Sequence, residues 1–188
     1  MDAIGRKLHP SIENPIDNML IEYCEGMVDK LYSHGITPNM VTITGIVFRI
    51  ISIWGLFKGY KIIFLIGAIL GYYCDCLDGH LARKFNMCTV FGDLLDHISD
   101  MAFQVGIIWY IISKRNNPLF IPAIIFYLVF LLIFLVHMGC QQKHFNCNNI
   151  ETLDALKTFC QDKLWIHFTK FFGCGTFVFF SIIVGMLF

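Results

Sequence analysis

The chain is poor in charge. Asp, Glu, Lys and Arg together make up only 15% of its 188 residues, and the 14 basic side chains balance the 14 acidic ones. A neutral chain presents no basic surface for nucleic acid, so that class of partner is excluded. Proline is scarce at five residues, and no Pro- or Ser-rich linker, low-complexity segment or internal repeat divides the chain. One domain spanning residues 1–188 is therefore expected, with an interfacial region at 1–36 and a transmembrane core at 37–188. The first fifteen residues lack an apolar run followed by a small-residue cleavage site, so no removable signal peptide is expected. The eight cysteines show no paired spacing, and Cys74, Cys76 and Cys174 lie in apolar segments. Reduced, buried or interfacial thiols are the expectation. His137, Cys140, His144 and Cys147 are zinc-capable types, but their spacing fits no standard finger, and ordinary helix-end and loop roles are expected.

What the chain has in abundance is apolar surface. Hydrophobic residues reach 56%, 19 are Phe, and the mean hydropathy is +0.64. These values predict an all-α polytopic membrane protein of five to six transmembrane helices. Residues 11–34 place Ile16, Met19, Leu20, Tyr23, Met27 and Leu31 at helical spacing among acids, which predicts an amphipathic helix on the membrane surface. After the break at Gly35, a first span runs from Met40 to Phe57, with Thr37 as N-cap and Pro38 in its first turn. Further spans are expected from Ile62 to about Lys84, Phe91 to Ile112, Leu119 to Met138, and roughly Trp165 to Phe188. The first span carries one charge, Arg49, and intramembrane charge is functional by default. A lipid phosphate or an acid on a neighbouring helix is its expected partner.

The second and third spans carry the chemistry. Asp75, Asp78, Gly79 and Ala82 share one helix face, and Gly92, Asp96 and Asp100 share another. The short Phe85 to Val90 turn puts both faces at the same membrane side. Four bare carboxylates there would repel one another unless cations lay between them. Hard divalent ions suit an all-oxygen site and commonly arrive with substrate phosphates, so a diphosphate-bearing substrate is expected. Nine Lys and Arg residues fall on the side of the acids against four on the other, Arg49 aside, which predicts a cytoplasmic site.

Asp75-x2-Asp78-Gly79-x2-Ala82-Arg83-x8-Gly92-x3-Asp96-x3-Asp100 resembles the full signature of the CDP-alcohol phosphatidyltransferases, and Pro38-Asn39-x2-Thr42 is similar to the start of that family's first transmembrane helix. The resemblance covers residues 37–112 and implies transfer of a substituted phosphate from a CDP-linked lipid or alcohol donor to an alcohol acceptor in the membrane. It implies two Mg²⁺ or Mn²⁺ ions on Asp75, Asp78, Asp96 and Asp100, with Asp100 as general base. It also implies donor binding at Asn39, Thr42, Asp75, Asp78, Gly79, Ala82 and Arg83, and close packing of the second and third spans at Gly92. The family core has six transmembrane helices against the five found here, and a homodimer is compatible with it.

Two branches of the family remain open. The stretch from Asp78 to Asn86 looks like phosphatidylinositol synthases, which favours CDP-diacylglycerol with inositol. Gly45, where those enzymes carry Arg, and Asp96-His97 look more like the branch that joins CDP-choline or CDP-ethanolamine to diacylglycerol. The bland alternatives are glycines that merely pack helices, Arg83 and Lys84 as a membrane anchor, and His80, Asp93 and His97 as polar neighbours. Competing functions are a membrane prenyltransferase, an inactive homologue, and a divalent-cation-binding protein or transporter.

Overall fold

The computed structural model describes residues 5–144, 154–160, 162 and 164–188; Cys147 and Lys163 lie outside them. Seven α-helices run in order: α1 (Pro15–Ser33), α2 (Pro38–Lys58), α3 (Lys61–Lys84), α4 (Val90–Ser113), α5 (Phe120–His144), α6 (Trp165–Thr169) and α7 (Cys174–Leu187). No strand occurs among the described residues. Among the described residues, four helical stretches are long and apolar enough to cross a membrane: α2, α3, α5 and Trp165–Leu187. Helix α4 has 24 residues, about 36 Å at 1.5 Å per residue, but its first half is acidic.

Helices α2 and α3 form the rigid centre. They pack tightly because small residues face each other. A Cβ on Gly45 would lie 3.3 Å from the Gly71 carbonyl oxygen and 3.0 Å from the Cys74 Cβ. No inward side chain fits there, which accounts for Gly45 on steric grounds. An apolar core farther from the acids joins Phe64, Phe103, Ile107, Tyr127 and Phe177. Beside it the half-buried Gln104 accepts hydrogen bonds from Tyr127 (2.5 Å) and Ser181 (2.9 Å), which satisfies its side-chain carbonyl.

Helix α1 lies against the acid-bearing end of α3 by an unexpected face. Its buried stripe is Asp17, Ile21, Cys24 and Val28, whereas Met19, Tyr23 and Met27 are exposed. That exposed apolar stripe is free to meet the membrane interface. Tyr72 of α3 donates its hydroxyl to Asp17, Lys84 pairs with Asp29 at 2.9 Å, and Tyr32 stacks on Phe85.

Thr37 sits at the N-cap of α2 as expected, without a side-chain capping bond. Two expectations need correction. The last span is not one helix: it passes through a 3₁₀ turn at Lys170–Phe172 and restarts after the extended Gly173. Asn14 makes that break tolerable, because its amide donates to the Lys170 carbonyl (2.6 Å) and to the Thr176 hydroxyl (2.7 Å) while its oxygen caps Ile16. Lastly, Cys140 and Cys160 form a disulfide, since the chain after α5 folds back along that helix and brings together thiols 20 residues apart. Cys140 is thereby withdrawn from any zinc cluster, and His137 is occupied by Thr169 (3.1 Å) and Gln141 (2.9 Å).

Asn14 is fully buried, and Asn14→Ala removes its bonds to the Lys170 carbonyl, the Thr176 hydroxyl and Ile16 N–H, leaving that carbonyl only the longer bond from Gly173 N–H (3.2 Å). A loss of about 1–3 kcal/mol is expected, seen as a lower unfolding midpoint in detergent. Burial pushes the Asp17 carboxyl up to about 7 against the pull of Tyr72. An acid raised in the folded state holds its proton there at pH values where the unfolded chain has lost it, so stability declines as pH rises from about 4 to 7. Asp17→Asn should flatten that decline; an unchanged slope would mean Asp17 is ionised throughout.

Candidate active site

Arg49 is the organising side chain. It leaves α2 with 7% exposure and reaches across to both acidic helices. Its Nη2 lies 2.6 Å from Asp75 Oδ1 on α3 and 2.5 Å from Asp100 Oδ1 on α4, and Nη1 donates to Ser99 Oγ at 2.5 Å. Gly71 makes room for it, because a Cβ there would come within 2.7 Å of Arg49 Cγ. The acid on a neighbouring helix, expected as one of two partners for Arg49, is therefore found twice.

The other two carboxylates are held differently. Asp78 accepts the hydroxyl of Thr42, one turn into α2. Asp96 is oriented inward with its Oδ1 buried and without a hydrogen-bond partner. Cys174, outside the signature, stands with Asp75 and Asp100 so that one ligand atom from each lies within 4.8 Å of the others. Four carboxylates and one guanidinium leave a formal charge of −4 + 1 = −3 in a partly buried cluster. An orphaned acid oxygen, excess negative charge and an oxygen-rich donor set fit hard divalent cations.

Two cavities meet at this cluster. The smaller, about 100 Å³, is lined by Asn39, Thr42, Asp78, Gly79, Ala82 and Asp96 among others. The larger, about 340 Å³, reaches Asp75, Asp96 and Asp100 and extends to residues of the N-terminal segment. Gly79, Arg83 and Asp96 border both. A third, apolar groove of about 350 Å³ runs between α2 and α4 and ends at Arg49 and Ser99.

Every signature residue thus comes to one end of the bundle, with two differences from expectation. Gly92 faces α2 and not α3: a Cβ there would meet Asn39 Oδ1 at 2.8 Å, so the glycine seats α4 on the first span. Helices α3 and α4 share few contacts, and their acids are joined through Arg49. Arg83 donates its Nε to the Gly5 carbonyl at 2.9 Å, beside His80 Nδ1 at 3.1 Å, so the N-terminal segment is tied to the signature helix. His97 pairs with Asp93 at 3.3 Å. Lys7, Glu13, Asp17 and Cys174 line the larger cavity without having been singled out in the sequence. Only Asp17 left a signal there, as an acid heading the helical stripe Ile21, Cys24 and Val28.

The CDP-alcohol phosphatidyltransferase family model matches residues 35–187, and the chain belongs to that family. It is similar to an archaetidylinositol phosphate synthase of Pyrococcus horikoshii, at 30% identity over 103 residues, 55% of this chain and 50% of that protein. It is also similar to a CDP-diacylglycerol–glycerol-3-phosphate 3-phosphatidyltransferase of Rickettsia felis, at 30% over 91 residues, 47% of this chain and 50% of that one. A CDP-diacylglycerol–inositol 3-phosphatidyltransferase of Drosophila melanogaster is 32% identical over 74 residues, 38% of this chain and 31% of that one. The chain spans about half the length of the first curated relatives it matches. No solved structure matches it.

Arg49→Met would leave Asp75 and Asp100 facing each other uncompensated. A loss of about 3–5 kcal/mol is expected in chelator. Added Mn²⁺ should restore more of the unfolding midpoint in the variant than it adds to the unmodified protein; equal shifts would show that Arg49 does not neutralise the cluster.

Proposed function

We propose that this member of the CDP-alcohol phosphatidyltransferase family transfers a phosphatidyl group from CDP-diacylglycerol to an alcohol, with inositol the favoured acceptor, and releases CMP. The observation that carries this reading is the pair of cavities meeting at Gly79, Arg83 and Asp96 beside four carboxylates. Displacement in line at phosphorus requires the leaving group on one side and the attacking oxygen on the other. The smaller cavity suits the cytidine diphosphate end of the donor. There Ala82 lacks bulk, and the missing side chain of Gly79 makes room for the Arg83 guanidinium, whose Nη1 would lie 3.1 Å from a Cβ at that position. The larger cavity, which Asp100 lines, suits the acceptor. The names of the Rickettsia and Drosophila relatives support CDP-diacylglycerol as donor. The Drosophila name, together with the stretch from Asp78 to Asn86, supports inositol.

The four aspartates would hold one or two Mg²⁺ or Mn²⁺ ions, which when bound supply positive charge for the diphosphate and the departing CMP. The remaining work belongs to the chain. Arg49 and Ser99 fix the position of α4 around Asp100, and that carboxylate takes the acceptor's hydroxyl proton as the oxygen attacks the β-phosphorus. Thr42 fixes Asp78, and Arg83, anchored at Nε, turns its remaining donors toward phosphate oxygens. The largest contribution is positioning of two substrates in a charged site. All four aspartates come from one chain, so a second copy is not needed to complete the cluster. The distribution of Lys and Arg supports placing the site at the cytoplasmic face.

The test is CMP release by the purified chain in liposomes containing CDP-diacylglycerol, with Mg²⁺ or Mn²⁺ and a panel of alcohols. CDP-choline or CDP-ethanolamine with diacylglycerol serves as the contrasting pair. Release with the first donor and inositol is expected; release only with the second pair would move the protein to the other branch. Asp100→Asn should lower turnover by at least about 10²-fold while the donor still binds, because it removes a base. Asp78→Asn should instead weaken metal-dependent donor binding, and unchanged binding would take Asp78 out of the metal site.

A further inference from the structure

We infer that the acceptor is selected by residues outside the family-matched segment: Lys7, Glu13 and Asp17 wall the larger cavity so that a neutral polyhydroxy alcohol is taken in preference to a phosphorylated one. The inference rests on the phosphatidyl-transfer reading above. The family match begins at residue 35, yet these three side chains line the same cavity as Asp75, Asp96 and Asp100. They are fixed there and do not merely hang over it. The Gly5 carbonyl is held by Arg83 and His80, Asp17 by the Tyr72 hydroxyl, and Asn14 joins the segment to the break before α7.

Basic and acidic groups share this wall. Lys7 and Arg83 line the cavity with Glu13 and with Asp17, whose carboxyl, raised to about 7, is in part a neutral acid near neutral pH. Burial pushes the Glu13 carboxyl up and the Lys7 ammonium down, and against it Glu13 lies in the field of Arg83 and Lys7, and Lys7 in that of Glu13. A phosphate dianion entering here would have to take the cations from their carboxylates and leave those buried acids uncompensated, beside an aspartate cluster that is itself negative. A polyol asks for no such exchange. Each hydroxyl donates to a carboxylate and accepts from an ammonium or guanidinium, so alternating charges become alternating hydrogen-bond partners.

The experiment measures CMP release by the full chain in liposomes with CDP-diacylglycerol, varying inositol and, separately, glycerol 3-phosphate. The unmodified chain is expected to show the higher kcat/KM with inositol. Glu13→Gln should raise the inositol KM about tenfold and narrow the preference, because it removes an acceptor of hydroxyl protons and frees positive charge. Lys7→Met should widen the preference by excluding the anion further. The donor KM should stay constant in both variants. A preference for glycerol 3-phosphate in the unmodified chain overturns the inference, as does an unshifted ratio in either variant that elutes and unfolds like the unmodified protein. No CMP release from the unmodified chain with any acceptor overturns the transfer reading, and this inference falls with it.

Discussion

The guanidinium of Arg49, buried between α2, α3 and α4, bonds Asp75 and Asp100 at once. A charge in that position is costly unless it is paired, and a pair of carboxylates facing each other is costly unless something positive lies between them. Each burden relieves the other. The glycines of α2 and α3 follow from the same requirement. Gly45 and Gly71 bring the helix backbones together, and Gly71 leaves the space through which the arginine passes. Backbone contacts between α3 and α4 are few, so Arg49, Ser99 and Gly92, which seats α4 against Asn39, help align their acids.

A single cation does not finish the neutralisation. Arg49 pairs directly with Asp75 and Asp100, whereas Asp78 accepts from Thr42 and Oδ1 of Asp96 is buried without a hydrogen-bond partner. That deficit lies where the two cavities share a wall, so whatever binds there must bring or attract positive charge. A divalent cation with a diphosphate meets both conditions, and the family to which the chain belongs is named for such a donor.

Much of this was legible in the sequence because it is local. Asp75, Asp78, Gly79 and Ala82 recur at helical spacing, as do Gly92, Asp96 and Asp100, and a short turn fixes their side of the membrane. Four of the five expected spans appear as single helices with bounds within about two residues at most ends, α4 among them although it is not one of the four stretches apolar enough to cross a membrane, because helix length and helix-stopping Gly and Pro are themselves local signals. What could not be read depends on distant residues. Asn14 looks like an ordinary N-cap, and only the fold brings Lys170 and Thr176 to its amide. The pairing of Cys140 with Cys160 needs the chain to double back on α5. Membrane amphipathicity pointed to Met19, Tyr23 and Met27 in α1, while the packed face begins with an acid, which a hydrophobic stripe does not anticipate. The N-terminal segment's part in the larger cavity follows from that docking and has no spacing of its own.

The central claim is that the Arg49-bridged aspartates form a cation-dependent site for a CDP-linked lipid. The most direct measurement is equilibrium binding of CDP-diacylglycerol to the full chain in nanodiscs, with Mn²⁺ and then with chelator. Saturable binding that is lost in chelator, and restored by Mn²⁺ in the unmodified protein but not in Asp96→Asn, is the predicted result. Binding of equal strength with and without the cation, or equal in Asp96→Asn, would contradict it.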